Sequence, residues 1–147
     1  MPSWAAALRA TGVAGSFVAL LAGCRSPGAG EGAGNGIVYD AWRAGRSHVE
    51  VTAIGSVARM LGTRVGPSGA HEGFLLHLNG SAGHGLTVRV EDNVDITGPI
   101  PLAEGKAVEV KGEYIFDSRG GIVHYTHRDR RGRHVAGYVL VDTKLYQ

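Results

Sequence analysis

Three histidines near the C-terminal end of the chain are close enough in sequence to share one chemical task. They are His124, His127 and His134, and Asp129 lies between the second and the third. Neutral imidazoles and a carboxylate suit Zn or a similar divalent ion as ligands. The same groups could instead support acid–base catalysis. A third interpretation is that His124 is a half-buried barrel residue bonded to Glu113 or to a backbone carbonyl, with the other two histidines in a loop.

The spacing of these histidines restricts the metal interpretation. The segment Ile122-Val-His-Tyr-Thr126 is rich in β-branched and aromatic residues, which favours a strand. In a strand, side chains three residues apart point to opposite faces, so His124 and His127 would diverge. We therefore expect them to share one ion only if the strand ends or bulges near Thr126.

Four more polar residues could converge with this histidine group if their strands are neighbours. They are His71, Asn93, Asp95 and Glu113. The chain has no Gly-x-Ser-x-Gly elbow, no Ser-x-x-Lys pair and no phosphate-binding Walker loop. No catalytic residue is therefore predicted, and enzymatic activity is left open.

A compact basic run overlaps the histidines, with arginines at Arg128, Arg130, Arg131 and Arg133. The forked guanidinium donors of arginine suit phosphate and carboxylate groups. The run is consistent with a solvated loop or with a surface for an anionic polymer. Single-stranded nucleic acid would also require exposed aromatic rings. Tyr114, Phe116, Tyr125 and Tyr138 could supply such rings, but Tyr114 and Phe116 share the apolar face of a strand and are expected in the core. No specific nucleic-acid partner is predicted.

Composition excludes several other classes of protein. The 147 residues carry 15 basic and 13 acidic side chains, a formal charge of +2, which argues against nucleic-acid binding by bulk charge. A hydrophobic fraction of 44% can support a folded core. The single cysteine cannot form an intramolecular disulfide or anchor a zinc finger based on cysteines.

That cysteine, Cys24, follows a segment typical of an export signal. Residues 1–23 contain one charged residue, Arg9, and then an apolar run too short to span a bilayer. The ending Leu21-Ala-Gly-Cys24 resembles the lipobox of bacterial lipoproteins. The resemblance implies lipidation of Cys24, export and membrane anchoring. Because residue 26 is Ser and not Asp, it also implies the outer membrane in a bacterium that has two membranes.

Residues 24–36 are rich in glycine and are predicted to be a flexible tether, which leaves residues 37–147 as the folded domain. Alternating apolar residues predict strands, most clearly over Ala107–Phe116, where every second residue from Val108 is apolar or glycine. The other expected strands are 48–61 with an irregularity at Gly55, 74–78, 86–91, 122–126 and 137–141. A short helix is expected over 37–45, loops over 62–70 and 79–85, and an irregular segment with one helical turn over 92–101.

This pattern predicts an all-β domain, a small five-stranded barrel of the OB type with a C-terminal extension. The second half of the chain also carries a series of short motifs in a fixed order. They are His71-Glu-Gly-Phe74, Asn93-Val-Asp-Ile96, Gly112-Glu-Tyr-Ile-Phe-Asp117, Gly120-Gly-Ile-Val-His-Tyr-Thr-His-Arg-Asp129, Gly132-Arg-His134 and Gly137-Tyr138.

From about His48 onward the chain thus resembles the bacterial family called domain of unknown function 3465. It departs from the family pattern at Asp92, where members often have His, and at Arg130, where they often have Pro. The resemblance implies a small exported or membrane-anchored protein and supplies no activity. We expect an envelope binding module with a His/Asp/Arg surface for an anionic polymer or a protein. The alternatives are a metal-dependent envelope enzyme and a structural adaptor.

Overall fold

Strands are the main secondary structure of the computed structural model, which describes residues 33–80 and 85–147. The predicted signal peptide, the lipidation site Cys24 and most of the predicted tether lie outside these residues. Two helices are present, α1 (Ala33–Arg43) and the single turn α2 (Val94–Thr97). The strands are β1 (Val49–Gly66), β2 (Gly69–Leu78), β3 (Thr87–Asn93), β4 (Ala107–Ile115), β5 (Ile122–His124), β6 (Tyr138–Val141) and β7 (Lys144–Tyr146).

Five of these strands close into a barrel. The order β1-β2-β3-β5-β4 returns to β1 through a β1–β4 pairing. All neighbours are antiparallel except β3 and β5, which run parallel. This ring of five strands, with a helical turn between β3 and β4, is an OB-type barrel, as predicted. β6 and β7 form the C-terminal extension.

The barrel interior follows the alternation read along β4. Val108, Val110, Gly112 and Tyr114 are buried, and the residues that alternate with them face outward. Phe116, predicted to share this inner face, is 38% exposed because β4 ends one residue before it, at Ile115. The expected helical turn within 92–101 is present as α2.

The β1–β2 hairpin is longer than predicted. The expected loop over 62–70 is wrong, because β1 continues to Gly66 and β2 begins at Gly69, so that only Pro67 and Ser68 form the turn. Register shifts fall after Val57 and after Met60, and not at Gly55. Gly55 is instead a point of close approach, where a Cβ would overlap the carbonyl of His77.

The domain begins earlier than the predicted boundary at Ile37. Helix α1 starts at Ala33, inside the segment predicted to be tether, and packs on β1. Asn35 is 2% exposed, and its amide donates to Ile54 O at 2.8 Å and to Asn79 O at 2.7 Å. Its Oδ1 accepts from Ile54 N at 2.7 Å. Asn35 therefore fixes the helix to the barrel wall.

The predicted strand 122–126 ends at His124. The chain then leaves the sheet and pairs with β4 again only at β6. β5 pairs with Glu113–Ile115, whereas β6 pairs with Glu109–Lys111 of the same strand. The residues between them, 125–137, form what we call the β5–β6 loop, closed at its base by Gly137 N donating to His127 O at 3.0 Å. Within the described ranges, no helix is long and apolar enough to cross a membrane.

Candidate functional site

A groove of about 860 Å³ lies on the outer face of the barrel between the turn of the β1–β2 hairpin and the β5–β6 loop. Its polar lining comes from β2, β3, β5 and that loop: His71, Glu91, Asn93, His124, Tyr125, His127, Arg131, Arg133 and His134. Pro67, Ser68, Ile96 and Ile122 complete the lining. Four of the seven histidines of the chain therefore face one cleft.

Three rings in the groove form a stacked column. The ring of Tyr125 lies 4.0 Å from that of His124 and 4.2 Å from that of His134, with interplanar angles of 22° and 9°. The ring of His127 meets His134 edge-on at 4.9 Å. Tyr125 has a positive φ of 55°, a left-handed conformation that is uncommon for a residue with a side chain. β5 ends one residue earlier, at His124, and all three stacked residues line the groove.

Backbone carbonyls fix the tautomers of three groove histidines. Nδ1 lies 3.1 Å from Gly69 O in His71, 3.2 Å from Arg128 O in His127 and 2.8 Å from Val135 O in His134. A carbonyl oxygen can only accept, so each Nδ1 carries the proton. The neutral rings therefore keep an unprotonated Nε2, which is a hydrogen-bond acceptor and a potential metal ligand.

His124 is held differently, by the hydrogen bond to Glu113 that one interpretation of the sequence predicted. Its Nε2 lies 3.2 Å from Glu113 Oε1, and Nδ1 of His48 lies 3.1 Å from the same oxygen. Burial raises the pKa of Glu113, but the two histidine contacts outweigh burial and leave this pKa below its ordinary value. Glu113 therefore positions His124 from outside the groove.

Asp129 organises the β5–β6 loop. Its carboxylate accepts from the backbone N–H groups of Arg131 at 2.8 Å, of Arg133, and of His134 at 3.0 Å. These contacts, the one from Arg131 foremost, lower the pKa of Asp129 to about 2. The side chain is 4% exposed, so its charge is turned toward the backbone of the loop and not toward the groove.

Asn93 and Asp95 fasten the turn of the β1–β2 hairpin to α2. Asn93 Nδ2 donates to Ser68 O at 2.9 Å, and Asn93 Oδ1 accepts from Asp95 N at 3.1 Å. Asp95 Oδ2 accepts from Ala70 N at 2.8 Å. Asn93 also lines the groove, whereas Asp95 lies beside it.

Most of the residues predicted for the site do come together. His71, Asn93, His124, His127, Arg131, Arg133 and His134 line the groove. Three others adjoin it through the contacts described above: Asp95, Glu113 and Asp129. Arg128 and Arg130 belong to the β5–β6 loop but are not part of the lining.

The sequence did not predict a role for Asp92, which holds Thr126 beside the groove residue Tyr125. The residue is fully buried, and its carboxylate accepts from Thr126 at 2.6 Å and from Thr97 at 2.5 Å. Burial raises the pKa of Asp92, and the two hydroxyl contacts only partly offset it. The alternation of Val88, Val90 and Asp92 along β3 was the available signal, because it places Asp92 on the inner face.

Metal binding by His124, His127 and His134 stays a prediction. Over residues 33–80 and 85–147, no three His, Cys, Asp or Glu side chains are arranged to hold a metal ion. Nε2 of His124 already contacts Glu113, while Nε2 of His134 lies 3.9 Å from Asp129 Oδ2.

Comparison with known proteins gave two similarities. Residues 28–147 match the family model described as protein of unknown function (DUF3465). Among solved structures, the chain is similar to a small single-stranded DNA-binding protein from Streptomyces coelicolor, with 21% identity and a TM-score of 0.47. That match covers 65% of this chain and 92% of the other. A search of the curated proteins gave no match.

Proposed function

This chain belongs to the DUF3465 family of proteins of unknown function, and we propose that its barrel is a binding module that holds an anionic ligand in the groove. One observation carries the proposal. Arg131 and Arg133 line the groove, and both are exposed. The nearby carboxylate of Asp129 accepts from backbone N–H groups and lies 4.0 Å from Arg133 Nε. Among the described residues Arg131 has no acidic partner, and the Arg133 side chain is 71% exposed despite its contact with Asp129, so the loop offers cationic donors to a ligand.

The acidic residue of the groove lining, Glu91, is balanced by a neighbouring cation. Glu91 forms an ion pair with Arg89, its neighbour on the outer face of β3. Because Glu91 is paired with Arg89, Arg131 and Arg133 give the groove lining its positive charge. Guanidinium groups bind carboxylate and phosphate oxygens through paired, charge-assisted hydrogen bonds. A ligand that carries carboxylate or phosphate groups would therefore bind the groove most tightly.

We further propose that the ligand is an anionic polymer of the bacterial envelope. The proposal rests on the Leu21-Ala-Gly-Cys24 ending, which would place a lipidated chain outside the cytoplasm, on the outer membrane where there are two membranes. The stacked rings also favour a polymer that has no nucleobases. Histidine rings cover both faces of Tyr125, so a nucleobase could stack there only by displacing one of them.

Titration of the purified full-length chain with polygalacturonate, a polymer of carboxylates, tests the proposal. We expect binding that weakens with added salt and that falls about tenfold or more in an Arg131→Ala/Arg133→Ala variant. The matched control, Arg43→Ala/Arg46→Ala, removes the same charge from residues outside the groove and should bind like the unmodified chain. Equal loss in both variants would refute a role for the groove.

A second candidate is the metal-dependent enzyme. Histidines that ligate metals almost always donate their other ring N–H to a carbonyl, a carboxylate or water, and His71, His127 and His134 show that pattern. Elemental analysis of the chain, purified without a histidine tag, tests this candidate. Stoichiometric Zn that disappears in a His127→Ala variant would favour the enzyme. No metal together with no polyanion binding would favour the adaptor.

A further inference from the structure

We infer that the ligand of the groove carries hydroxyl groups beside its anionic groups, as an acidic polysaccharide or a polyol phosphate does. This inference rests on the proposed function and deepens it by naming the class of ligand. It follows from what the groove offers apart from its arginines, which is a set of hydrogen-bond acceptors.

Two imidazoles supply acceptors at the cleft. The carbonyls of Gly69 and Arg128 hold the protons of His71 and His127 on Nδ1, so each neutral ring keeps a lone pair on Nε2. Both residues line the groove and are only half-buried. His134 lies in the same lining, but its side chain is 8% exposed and its Nε2 is directed toward Asp129. The acceptors within reach of a ligand are therefore those of His71 and His127.

Glu91 adds a third acceptor. Its carboxylate forms the ion pair with Arg89 and is also part of the groove lining. A phosphate or carboxylate oxygen placed against Glu91 or an Nε2 lone pair would meet another acceptor and be repelled. A hydroxyl group can donate to either of them. The lining thus combines cationic donors for anionic groups with acceptors for hydroxyl groups.

The cationic surface also continues beyond the groove. Arg64 lies directly opposite His71 in the β1–β2 register, so the two side chains share the outer face of the hairpin. Arg64 is exposed, near the tip of that hairpin. Arginines therefore flank His71 on the hairpin and on the β5–β6 loop, an arrangement that suits a ligand with repeated anionic groups rather than one small anion.

Two matched pairs of polymers test the inference on the full-length chain at pH 8, above the ordinary titration range of imidazole. Polygalacturonate is compared with polyglutamate, which has carboxylates without hydroxyls, and a polyglycerol phosphate bearing free hydroxyls with polyphosphate. EDTA is present throughout to exclude bridging by metal ions. In at least one pair we expect the hydroxyl-bearing polymer to bind about tenfold more tightly, as two added hydrogen bonds would give. The favoured pair identifies a carboxylate or a phosphate ligand.

The variant His71→Phe/His127→Phe removes the two imidazole acceptors and leaves Glu91 and the arginines in place. It should abolish most of the preference for hydroxyl-bearing polymers while binding to polyglutamate or polyphosphate changes little. His77→Phe is the control, since His77 lies on the same face of β2, is exposed and is not part of the lining. Because the ratio of two affinities is measured on one sample, a partly unfolded variant still gives a valid readout.

The outcomes separate the inference from the proposal beneath it. Equal affinity for the hydroxyl-bearing and hydroxyl-free members of both pairs would overturn the inference, while binding of anionic polymers would still stand. No binding to any of the four polymers would overturn both. A preference that the double histidine variant leaves undiminished would also overturn the inference, because the imidazoles would then not be the acceptors for the hydroxyl groups.

Discussion

Thr126 donates a hydrogen bond of 2.6 Å to the carboxylate of Asp92, and both residues are completely buried. The bond joins the end of β3 to the start of the β5–β6 loop. Thr126 directly follows Tyr125, the left-handed residue at the centre of the stacked rings. The position of the aromatic column therefore depends on a buried polar contact that the groove itself does not expose.

This contact should tolerate removal of the charge but not of the acceptor. Burial raises the folded-state pKa of Asp92 above the unfolded value, so stability falls as pH rises between these two values. Asp92→Asn removes that loss, and we expect the free energy of unfolding at pH 7 to change by less than about 1 kcal/mol. Asp92→Ala leaves the buried Thr126 hydroxyl without its main acceptor and should cost about 2 kcal/mol. Denaturant unfolding measures both, and equal losses would contradict this account.

The β5–β6 loop should keep its shape in mild acid. Contacts with backbone N–H groups lower the folded-state pKa of Asp129 to about 2, below the ordinary value of 3.8. Their stabilisation is therefore complete above about pH 4 and is lost only as pH falls toward 2. The amide chemical shifts of Arg131 and His134 should report the protonation of Asp129 with a midpoint near pH 2, and a midpoint near 3.8 would contradict this prediction.

The same carboxylate gives a prediction for binding. Asp129→Ala should weaken polygalacturonate binding about tenfold, although it removes a negative charge, because the loop loses the acceptor that orders Arg131 and Arg133. The control is Asp142→Ala, which removes an exposed carboxylate paired with Lys106 outside the groove. Tighter binding in Asp129→Ala would mean that charge, and not positioning, is what the residue contributes.

Local patterns predicted those parts of the fold in which one face of a strand decides the outcome. The alternation from Val108 to Tyr114 placed β4 correctly, and the glycine and proline content around α2 marked its single turn. The expected loop over 62–70 failed for a long-range reason. Its glycines and proline look like a loop, but pairing such as Arg64 with His71 extends both strands to a two-residue turn.

β7 and the supporting contacts of the site had weaker signals. The turn before β7 has positive φ at Asp142 and Thr143, 49° and 68°, without the glycine that usually announces such a hairpin. The histidines and arginines of the groove were visible by residue type. That Asp129 faces the backbone, and that Asp92 supports Thr126, depends on tertiary contacts that no spacing reveals.

Gly121 and Gly132 both have a positive φ, but substitution by alanine should reduce the free energy of unfolding by different amounts. Gly121 has φ +91° and packs on Tyr114, where a Cβ would overlap the buried ring. We expect Gly121→Ala to cost about 3 kcal/mol through overpacking and backbone strain. Gly132 has φ +66° and open space around it, so Gly132→Ala should cost about 1 kcal/mol from the backbone alone. Thermal and denaturant unfolding compare the pair, and similar losses would deny the packing role of Gly121.

Asn35 joins the start of α1 to the barrel, so the folded domain should need residues that precede Ile37. Its three hydrogen bonds tie α1 to Ile54 and Asn79, so Asn35→Ala should lower the free energy of unfolding by about 2 kcal/mol. Gly36→Ala is the control: nothing lies within 4 Å of a Cβ at Gly36, and alanine in place of glycine in a helix should raise that free energy by up to about 1 kcal/mol. A chain that starts at Ile37 lacks Asn35 and should lose at least as much stability as Asn35→Ala, relative to one that starts at Ala33. Equal stability of those two truncated chains would show that the barrel does not need the start of α1.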